Sequence, residues 1–307
     1  MKKGVISTIL IVGLLSVCFI YRNQILNTVM KFIYDSEVKT LTANKYSNNF
    51  NFEFVQKTDD FHIKDKNHML NAIYTVLDSG TDEFPIFCDN SYEKCLDDFN
   101  DISKDEVLLS TINNLISPYN SYEKIYFEST AFGKITIKTD KMYSDNDINL
   151  VEEKVNSFIA NNINDRMSDR QKIKAFHDYV INNSVYDKSR ADEIESGNSK
   201  TKSSSDKATG PLIDGISLCS GYSDAMKIFL DKLGIPNYKI SNEDHIWNLV
   251  NIDNSWLHLD LTWDDPVTNT GENILLNNFF LINTNSLVKQ DSTGHNFNRD
   301  YYKELSH

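Results

Sequence analysis

The chain has 307 residues, a hydrophobic fraction of 40%, and 15 tyrosines with 17 phenylalanines. This composition indicates a folded body of one large domain or two ordinary ones, and it excludes a disordered chain. The 44 acidic residues outnumber the 31 basic ones, which gives a net charge of −13. Because phosphate backbones need a basic surface, this balance argues against a nucleic-acid partner.

The amino-terminal residues predict a segment that contacts a membrane. An uncharged stretch at 4–21 follows two lysines, and its length lies near the lower limit for a membrane-spanning helix. A signal peptide has the same shape, but Val17 stands where a small residue should precede cleavage or lipidation at Cys18. We therefore predict that residues 1–23 are an uncleaved signal anchor in the cell membrane, with the body extracytoplasmic. A cleaved signal, giving a secreted protein, is the alternative, and a buried core helix is a third.

Cysteine usage leaves two alternatives open. Cys88 and Cys95 bracket a short segment and would close a small disulfide loop in an oxidising compartment. Two unrelated, half-buried thiols are the other interpretation. Cys219 is then left unpaired, and an unpaired thiol in an exported protein is a candidate nucleophile.

The rest of the chain divides into three parts. We interpret 24–51 as a helical stalk or linker, 52–163 as an accessory α/β domain, and 164–307 as a second domain. The accessory part has apolar spacing that predicts helices near 66–77, 104–116 and 147–160, and two strands within 124–139.

Two features mark the beginning of the second domain. Ser168 and Gln171 have the spacing of a capping box ahead of a helix. A run rich in serine, lysine and aspartate between Asp187 and Gly210 has too little apolar surface to fold by itself. We predict a long mobile loop there, directly before Cys219.

Cys219 precedes a well-marked helix. Apolar residues recur at helical spacing up to Leu233, and Gly234 with Pro236 ends the pattern. At a helix amino terminus, free N–H groups and the helix dipole favour a thiolate, and the same donors would stabilise an oxyanion on a substrate carbonyl. A buried structural cysteine would give the same signal.

Residues 245–263 predict a β-hairpin with a two-residue turn at 253–254. In that register His245 and Asp260 lie on one face, diagonal to each other and within side-chain reach. A shift of one residue would place them on opposite faces. An imidazole oriented by a carboxylate can take a thiol proton and return it to a leaving amine, although a purely structural hydrogen bond would have the same spacing.

The stretch from about 208 to 266 closely resembles the transglutaminase-like superfamily, which shares the papain-like plan of cysteine enzymes. The Cys-x-Gly-Tyr helix start of that family matches 219–222, and its glycine-bounded helix end matches 233–236. Its His-x-Trp-Asn strand matches 245–248, and its Asp-x-Thr-Trp motif matches 260–263. The first α/β segment lies outside the resemblance.

The resemblance implies an α+β fold with a papain-like core. A helix bearing the cysteine would pack on an antiparallel sheet bearing the histidine and the aspartate, after a smaller α/β segment and the hydrophobic amino-terminal helix. It also implies Cys219 as nucleophile, His245 as general base and acid, and Asp260 as the residue that orients it. The implied reaction is acyl transfer or hydrolysis through a thioester, on protein or peptide amides, including substrates associated with a cell wall. The expected substrate-binding residues are Tyr222, Trp247 and Trp263.

The motifs leave the roles of three further residues and the alternative functions to be considered. No side-chain oxyanion donor can be placed, although Ser217 is close in sequence. His258 lacks the motif and is expected to line the site, and His177 is expected in the core or on the surface. A non-catalytic scaffold or binding module that retains the fold is the alternative function. A metalloenzyme ranks third because no Cys or His pair has ligand spacing, so we expect neither a metal nor a cofactor.

Overall fold

The structure is a computed structural model with a mixed α+β architecture. It describes residues 21, 28–29, 40–48, 50–197, 203–267 and 274–306. The predicted signal anchor apart from Tyr21, and about half of the predicted stalk, lie outside these residues. Within the described part of the chain, we find no helix with the length and apolar character to cross a membrane.

The first half of the chain forms a four-stranded sheet with the strand order β1-β2-β4-β3. Its strands are β1 (His62–Ile63), β2 (Glu83–Cys88), β3 (Tyr122–Ser129) and β4 (Lys134–Lys141). Its helices are α1 (Lys66–Ser79), α2 (Cys95–Ile102), α3 (Glu106–Leu115) and α4 (Asp145–Asn162). The two predicted strands and three predicted helices are confirmed, with small shifts at their ends.

Sequence patterns did not predict β2 and α2. Pro85 lies inside β2 and would normally argue against a strand, since proline lacks an N–H for the ladder. The strand ends at Cys88 and the helix begins at Cys95, and these two residues form a disulfide with their Cα atoms 5.9 Å apart. Of the two interpretations of Cys88 and Cys95, a disulfide or two separate thiols, the structure contains the disulfide.

The second half contains the elements that carry the candidate site. A three-stranded antiparallel sheet is built from β7 (Asn237–Ser241), β8 (Ile246–Ile252) and β9 (Ser255–Leu259), in that order. Its helices are α5 (Asp169–Asn182), α6 (Lys188–Glu195), α7 (Cys219–Leu233), α8 (Leu261–Asp264) and α9 (Thr284–Gln290). A short parallel pair joins β5 (Val185–Tyr186) to β6 (Ile216–Ser217). The predicted capping box at Ser168 and Gln171 is present at the start of α5.

The β8–β9 hairpin has the predicted register, with Ile252 paired to Ser255. Its two turn residues, Asp253 and Asn254, have φ angles of 52° and 60°. Aspartate and asparagine tolerate this left-handed conformation, which two-residue hairpin turns need at both positions. The second strand is shorter than predicted, because Asp260 caps the amino terminus of α8 instead of continuing β9.

The prediction of a long mobile loop between residues 187 and 210 is wrong for the part that the structure describes. Helix α6 lies inside this region, and the Arg190 guanidinium contacts the Asp206 carboxylate at 2.9 Å. Ser205 is fully buried, and its hydroxyl donates to Asp187 at 2.7 Å. The polar side chains of the run bind one another, so its low apolar content did not prevent a defined structure.

Both faces of the β7-β8-β9 sheet are covered. Helix α7 packs on one face together with α4 and α5, in a core that includes Val250 and Leu259. The opposite face belongs to the core of the first half of the chain, through the buried side chains of Tyr238, Ile240, Trp247 and Leu249. The two halves of the chain therefore share the hydrophobic core on this second face of the sheet that carries the candidate site.

Candidate active site

Cys219 is the first residue of α7 and has a free, partly exposed thiol. Leu218 occupies the N-cap position in an extended conformation, and its side chain makes no capping hydrogen bond. A leucine cannot satisfy the N–H groups of the first turn, which therefore remain available to an anionic group beside the thiol. This local geometry is suited to a reactive thiolate and to an oxyanion.

Gly221 fixes how the chain before α7 packs on the helix. A Cβ atom at this position would lie 2.5 Å from the Ser217 hydroxyl, 2.6 Å from the Ser205 carbonyl and 2.9 Å from the Lys207 carbonyl. The Leu218 N–H also donates to the Ser205 carbonyl at 2.8 Å. The glycine of the Cys-x-Gly pattern is thus required by a close backbone approach that holds the first turn in place.

Gly221→Ala should therefore disturb the nucleophile more than the fold. Because two of the clashing atoms are backbone carbonyls, we expect the first turn to shift and Cys219 to lose its fast reaction with a thiol probe. Gly234→Ala, at the other end of α7, is the matched control: that residue has φ of 69° with open space around it. Strain at this control position should cost about 1 kcal/mol of stability and leave thiol reactivity unchanged. Equal thiol reactivity in both variants would contradict this account.

His245 and Asp260 meet at the open end of the sheet. His245 directly precedes β8, Asp260 directly follows β9, and the His245 Nε2 atom lies 2.5 Å from Asp260 Oδ2. The Asp260 side chain is 1% exposed and the His245 side chain 10%. The other carboxylate oxygen, Oδ1, accepts the Trp263 backbone N–H at 3.1 Å. With Nε2 engaged, the Nδ1 atom of His245 is left for the thiol.

The protonation states of this pair follow from its surroundings. Burial lowers the pKa of His245, but the Asp260 carboxylate and hydrogen bonds with Asp260 and Cys219 outweigh burial and raise that pKa well above its ordinary value. Burial raises the pKa of Asp260, but contacts with His245 and His295 hold it well below its usual range. The structure therefore pairs His245 with Asp260, and the pKa of the imidazole is raised by this carboxylate and by the Cys219 thiol.

A fourth polar side chain, which sequence patterns did not predict, joins this group. His295 Nε2 lies 2.9 Å from Asp260 Oδ2, and its Nδ1 atom lies 2.8 Å from Asp291 Oδ2. His295 is 1% exposed. It belongs to an irregular segment between α9 and the carboxyl end, where no periodicity or motif marks its position.

Aromatic side chains hold both imidazoles. The Trp247 ring stacks on His245 with centroids 5.5 Å apart, and its indole N–H donates to His258 Nδ1 at 3.0 Å. Burial lowers the pKa of His258 to about 3, so this ring is a neutral acceptor. Phe279 stacks on His295 with centroids 5.0 Å apart. His258, which was expected to line the site, therefore acts on it indirectly, by holding the Trp247 ring.

Two of the three expected substrate-binding residues are buried. Tyr222 and Trp247 are each 1% exposed, and the Tyr222 hydroxyl donates to Asp265 at 2.5 Å. They have no free surface for a substrate, and the expectation is corrected to a role inside the core. Trp263, at 38% exposed, borders a cleft beside His245.

Two further expectations concern Ser217 and His177. The Ser217 hydroxyl is buried and donates to the Leu218 carbonyl at 2.8 Å, so it does not point to a substrate oxyanion. His177 is fully buried between Asp178 and Asp264, with ring nitrogens 2.9 and 3.2 Å from their carboxylates. It belongs to the core, one of its two expected locations.

The cleft beside His245 has a volume of about 1080 Å³. One wall comes from the first half of the chain, through the exposed side chains of Glu106, Val107 and Ser110 on α3. The opposite wall comes from Trp263 and from the segment that follows His295. A cleft of this size can accommodate several residues of an extended peptide. His245 lines this cleft, and Cys219 does not.

The site also contains a set of atoms with the residue types of a metal centre. One ligand atom each from His245, Asp260 and His295 lies within 4.8 Å of the others. The Asp260 oxygen is 2.5 and 2.9 Å from the two imidazole nitrogens, whereas ligands around a tetrahedral zinc ion are roughly 3.3 Å apart. We interpret the cluster as a hydrogen-bonded chain.

No family model matches the chain. No curated protein matches it either. A solved structure described as "Crystal structure of a TGase" is 17% identical to this chain, with a TM-score of 0.32. The match covers 52% of this chain and 48% of that one, so the chain spans about half the length of that protein. A similarity this low does not establish a shared activity, and the geometry of the site is the stronger observation.

Proposed function

We propose that the chain is a transglutaminase-like cysteine enzyme with a papain-like core, which acts on amide groups of proteins or peptides. The observation that carries this proposal is the buried pair of His245 and Asp260, 2.5 Å apart, together with the free Cys219 thiol, which acts on the pKa of the same imidazole. A helix amino terminus beside the thiol supports it further, because uncapped N–H groups are available to a developing oxyanion.

In the proposed reaction the His245 imidazole holds the proton of the thiol, in keeping with its raised pKa, and the Cys219 sulfur attacks the carbonyl carbon of the amide. Backbone N–H groups of α7 donate to the oxyanion. His245 then gives its proton to the leaving nitrogen, the C–N bond breaks, and a thioester remains. An amine or a water molecule attacks the thioester, loses a proton to His245, and regenerates the thiol. Asp260 keeps Nε2 of the imidazole engaged, so that Nδ1 faces the sulfur throughout.

We assign the body of the protein to the extracytoplasmic side of a membrane, anchored by residues 1–23. The disulfide between Cys88 and Cys95 supports this assignment, since such bonds persist in oxidising compartments. The substrates would then be proteins or peptides outside the cytoplasm, including those attached to a cell wall. They would enter through the cleft beside His245.

The test is to incubate the protein with glutamine-containing peptides, with and without a primary amine, and to weigh the products by mass spectrometry. Amine adducts would indicate transfer, and deamidated or cleaved peptides would indicate hydrolysis. Cys219→Ala, the matched control, should give neither product. Absence of any product, together with thiol labelling that is equally slow in the wild type and in His245→Ala, would instead support a non-catalytic scaffold.

A further inference from the structure

We infer that His295, fixed by Asp291, is a positioning residue that holds the Asp260 carboxylate against His245. This inference rests on the proposed function, because it concerns the same site. It adds two residues beyond Cys219, His245 and Asp260. It also gives a chemical reason for a second buried imidazole beside the first.

The geometry places His295 in line with the reacting groups. Its Nε2 atom contacts Asp260 Oδ2 at 2.9 Å, and the same oxygen contacts His245 Nε2 at 2.5 Å. Asp260 Oδ1 is held separately by the Trp263 N–H at 3.1 Å. Both oxygens of the carboxylate are therefore fixed by partners other than His245, and the group cannot rotate away from the imidazole that it orients.

The two partners of His295 fix the orientation of its ring. Its two ring nitrogens each face a carboxylate oxygen, at 2.9 Å for Asp260 and 2.8 Å for Asp291. Because the ring is held at both nitrogens, it cannot turn without losing one of these contacts. Asp291 therefore keeps the Nε2 atom of His295 directed at Asp260.

The surroundings of His295 contain few other groups that titrate. Within the described residues, Asp291 faces it from its own segment, Asp260 from the end of β9, His245 from the start of β8, and His258 from inside β9. Three aromatic rings also lie beside it. The rings of Trp247, Trp263 and Phe279 lie with centroids 4.9, 4.6 and 5.0 Å from that of His295. Because these rings surround the imidazole, water is poorly placed to replace it as a partner of Asp260.

The test measures the rate at which iodoacetamide alkylates Cys219 as a function of pH. In His295→Gln we expect the rate at neutral pH to fall by about 10–100-fold, by analogy with the loss of a hydrogen-bond partner that orients a metal-ligating histidine. We also expect the pH at which His245 loses its proton to move downward, because Asp260, which raises the pKa of this imidazole, is no longer held against it. Asp291→Asn should shift the profile in the same direction by a smaller amount.

His177→Gln is the matched control, since it removes another buried imidazole that lies between two carboxylates, those of Asp178 and Asp264, without touching a contact of Asp260. It should lower the melting temperature and leave the pH profile unchanged. A profile of folded His295→Gln that superimposes on that of the wild type would overturn the inference. If His295→Gln does not fold, Asp291→Asn decides the question in the same way, because the Asp291 side chain is 17% exposed and its replacement creates no cavity.

Failure of this inference can be told apart from failure of the proposed function. Alkylation needs no substrate, so it reports on the thiol and the imidazole directly. If His245→Ala leaves the alkylation rate unchanged, the proposed function fails. If His245→Ala slows alkylation while folded His295→Gln and Asp291→Asn do not alter its pH profile, only the positioning role fails.

Discussion

Asp260→Asn should lower kcat/KM for amide substrates by about 10³–10⁴-fold, although Cys219 and His245 both remain. The carboxylate accepts hydrogen bonds from two imidazoles and one backbone N–H. An asparagine has the same shape but only one side-chain oxygen. Its NH₂ group must therefore face at least one of the three donors whose hydrogen bonds the carboxylate accepts. The His245 ring would then lose the partner that holds it in the correct tautomer. Steady-state kinetics on a peptide amide would measure this effect.

Asp264→Asn is the matched control for that variant. Asp264 is a second buried aspartate that contacts an imidazole, that of His177 at 3.2 Å, and it lies at the far end of α8. It is not in contact with the thiol or with His245, so its replacement should cost stability and leave kcat/KM within a few-fold of the wild type. Equal kinetic losses in the two variants would show that Asp260 acts only through the fold.

Lys239→Met should destabilise the fold by about 3–5 kcal/mol, because it leaves a buried charge without its partner. The Lys239 ammonium lies 2.6 Å from the Asp224 carboxylate, and the two side chains are 7% and 4% exposed. The Tyr143 hydroxyl donates to the other Asp224 oxygen at 2.7 Å and accepts the Ala208 N–H at 2.7 Å. This network joins β7 to α7 and to the segment before Cys219. Urea unfolding would measure the loss.

The double variant Lys239→Met with Asp224→Asn provides the comparison for this prediction. It removes the uncompensated charge and keeps an acceptor for the Tyr143 hydroxyl, so it should recover most of the lost stability. A double variant that is less stable than Lys239→Met alone would mean that the Asp224 carboxylate stabilises the fold without its lysine partner.

The residues that sequence analysis placed correctly are those whose position depends on local structure. Cys219 is set by the start of one helix, and the pairing of His245 with Asp260 follows from one hairpin with a two-residue turn. His295 could not be found in this way. It reaches Asp260 from an irregular segment 35 residues further along the chain, and only the three-dimensional packing of that segment brings the two together.

Other differences have equally specific causes. Strand β2 was not predicted because it contains Pro85. Nothing in the sequence pattern shows that the sheet tolerates a missing backbone N–H at this position. The polar run before Cys219 looked disordered because composition counts apolar residues. This run is ordered by the ion pair between Arg190 and Asp206 and by the burial of Ser205. Amino-acid composition does not show such contacts.

The shared core has a consequence for the isolation of the half that carries the candidate site. Removing residues up to about 163 would strip the cover from Tyr238, Ile240, Trp247 and Leu249, which now pack against the first half of the chain. Such a fragment would expose an apolar face of the β7-β8-β9 sheet to solvent and would aggregate when expressed alone. We therefore expect the first half to be required for correct folding of the candidate site, so that the two halves must be expressed and engineered as one unit.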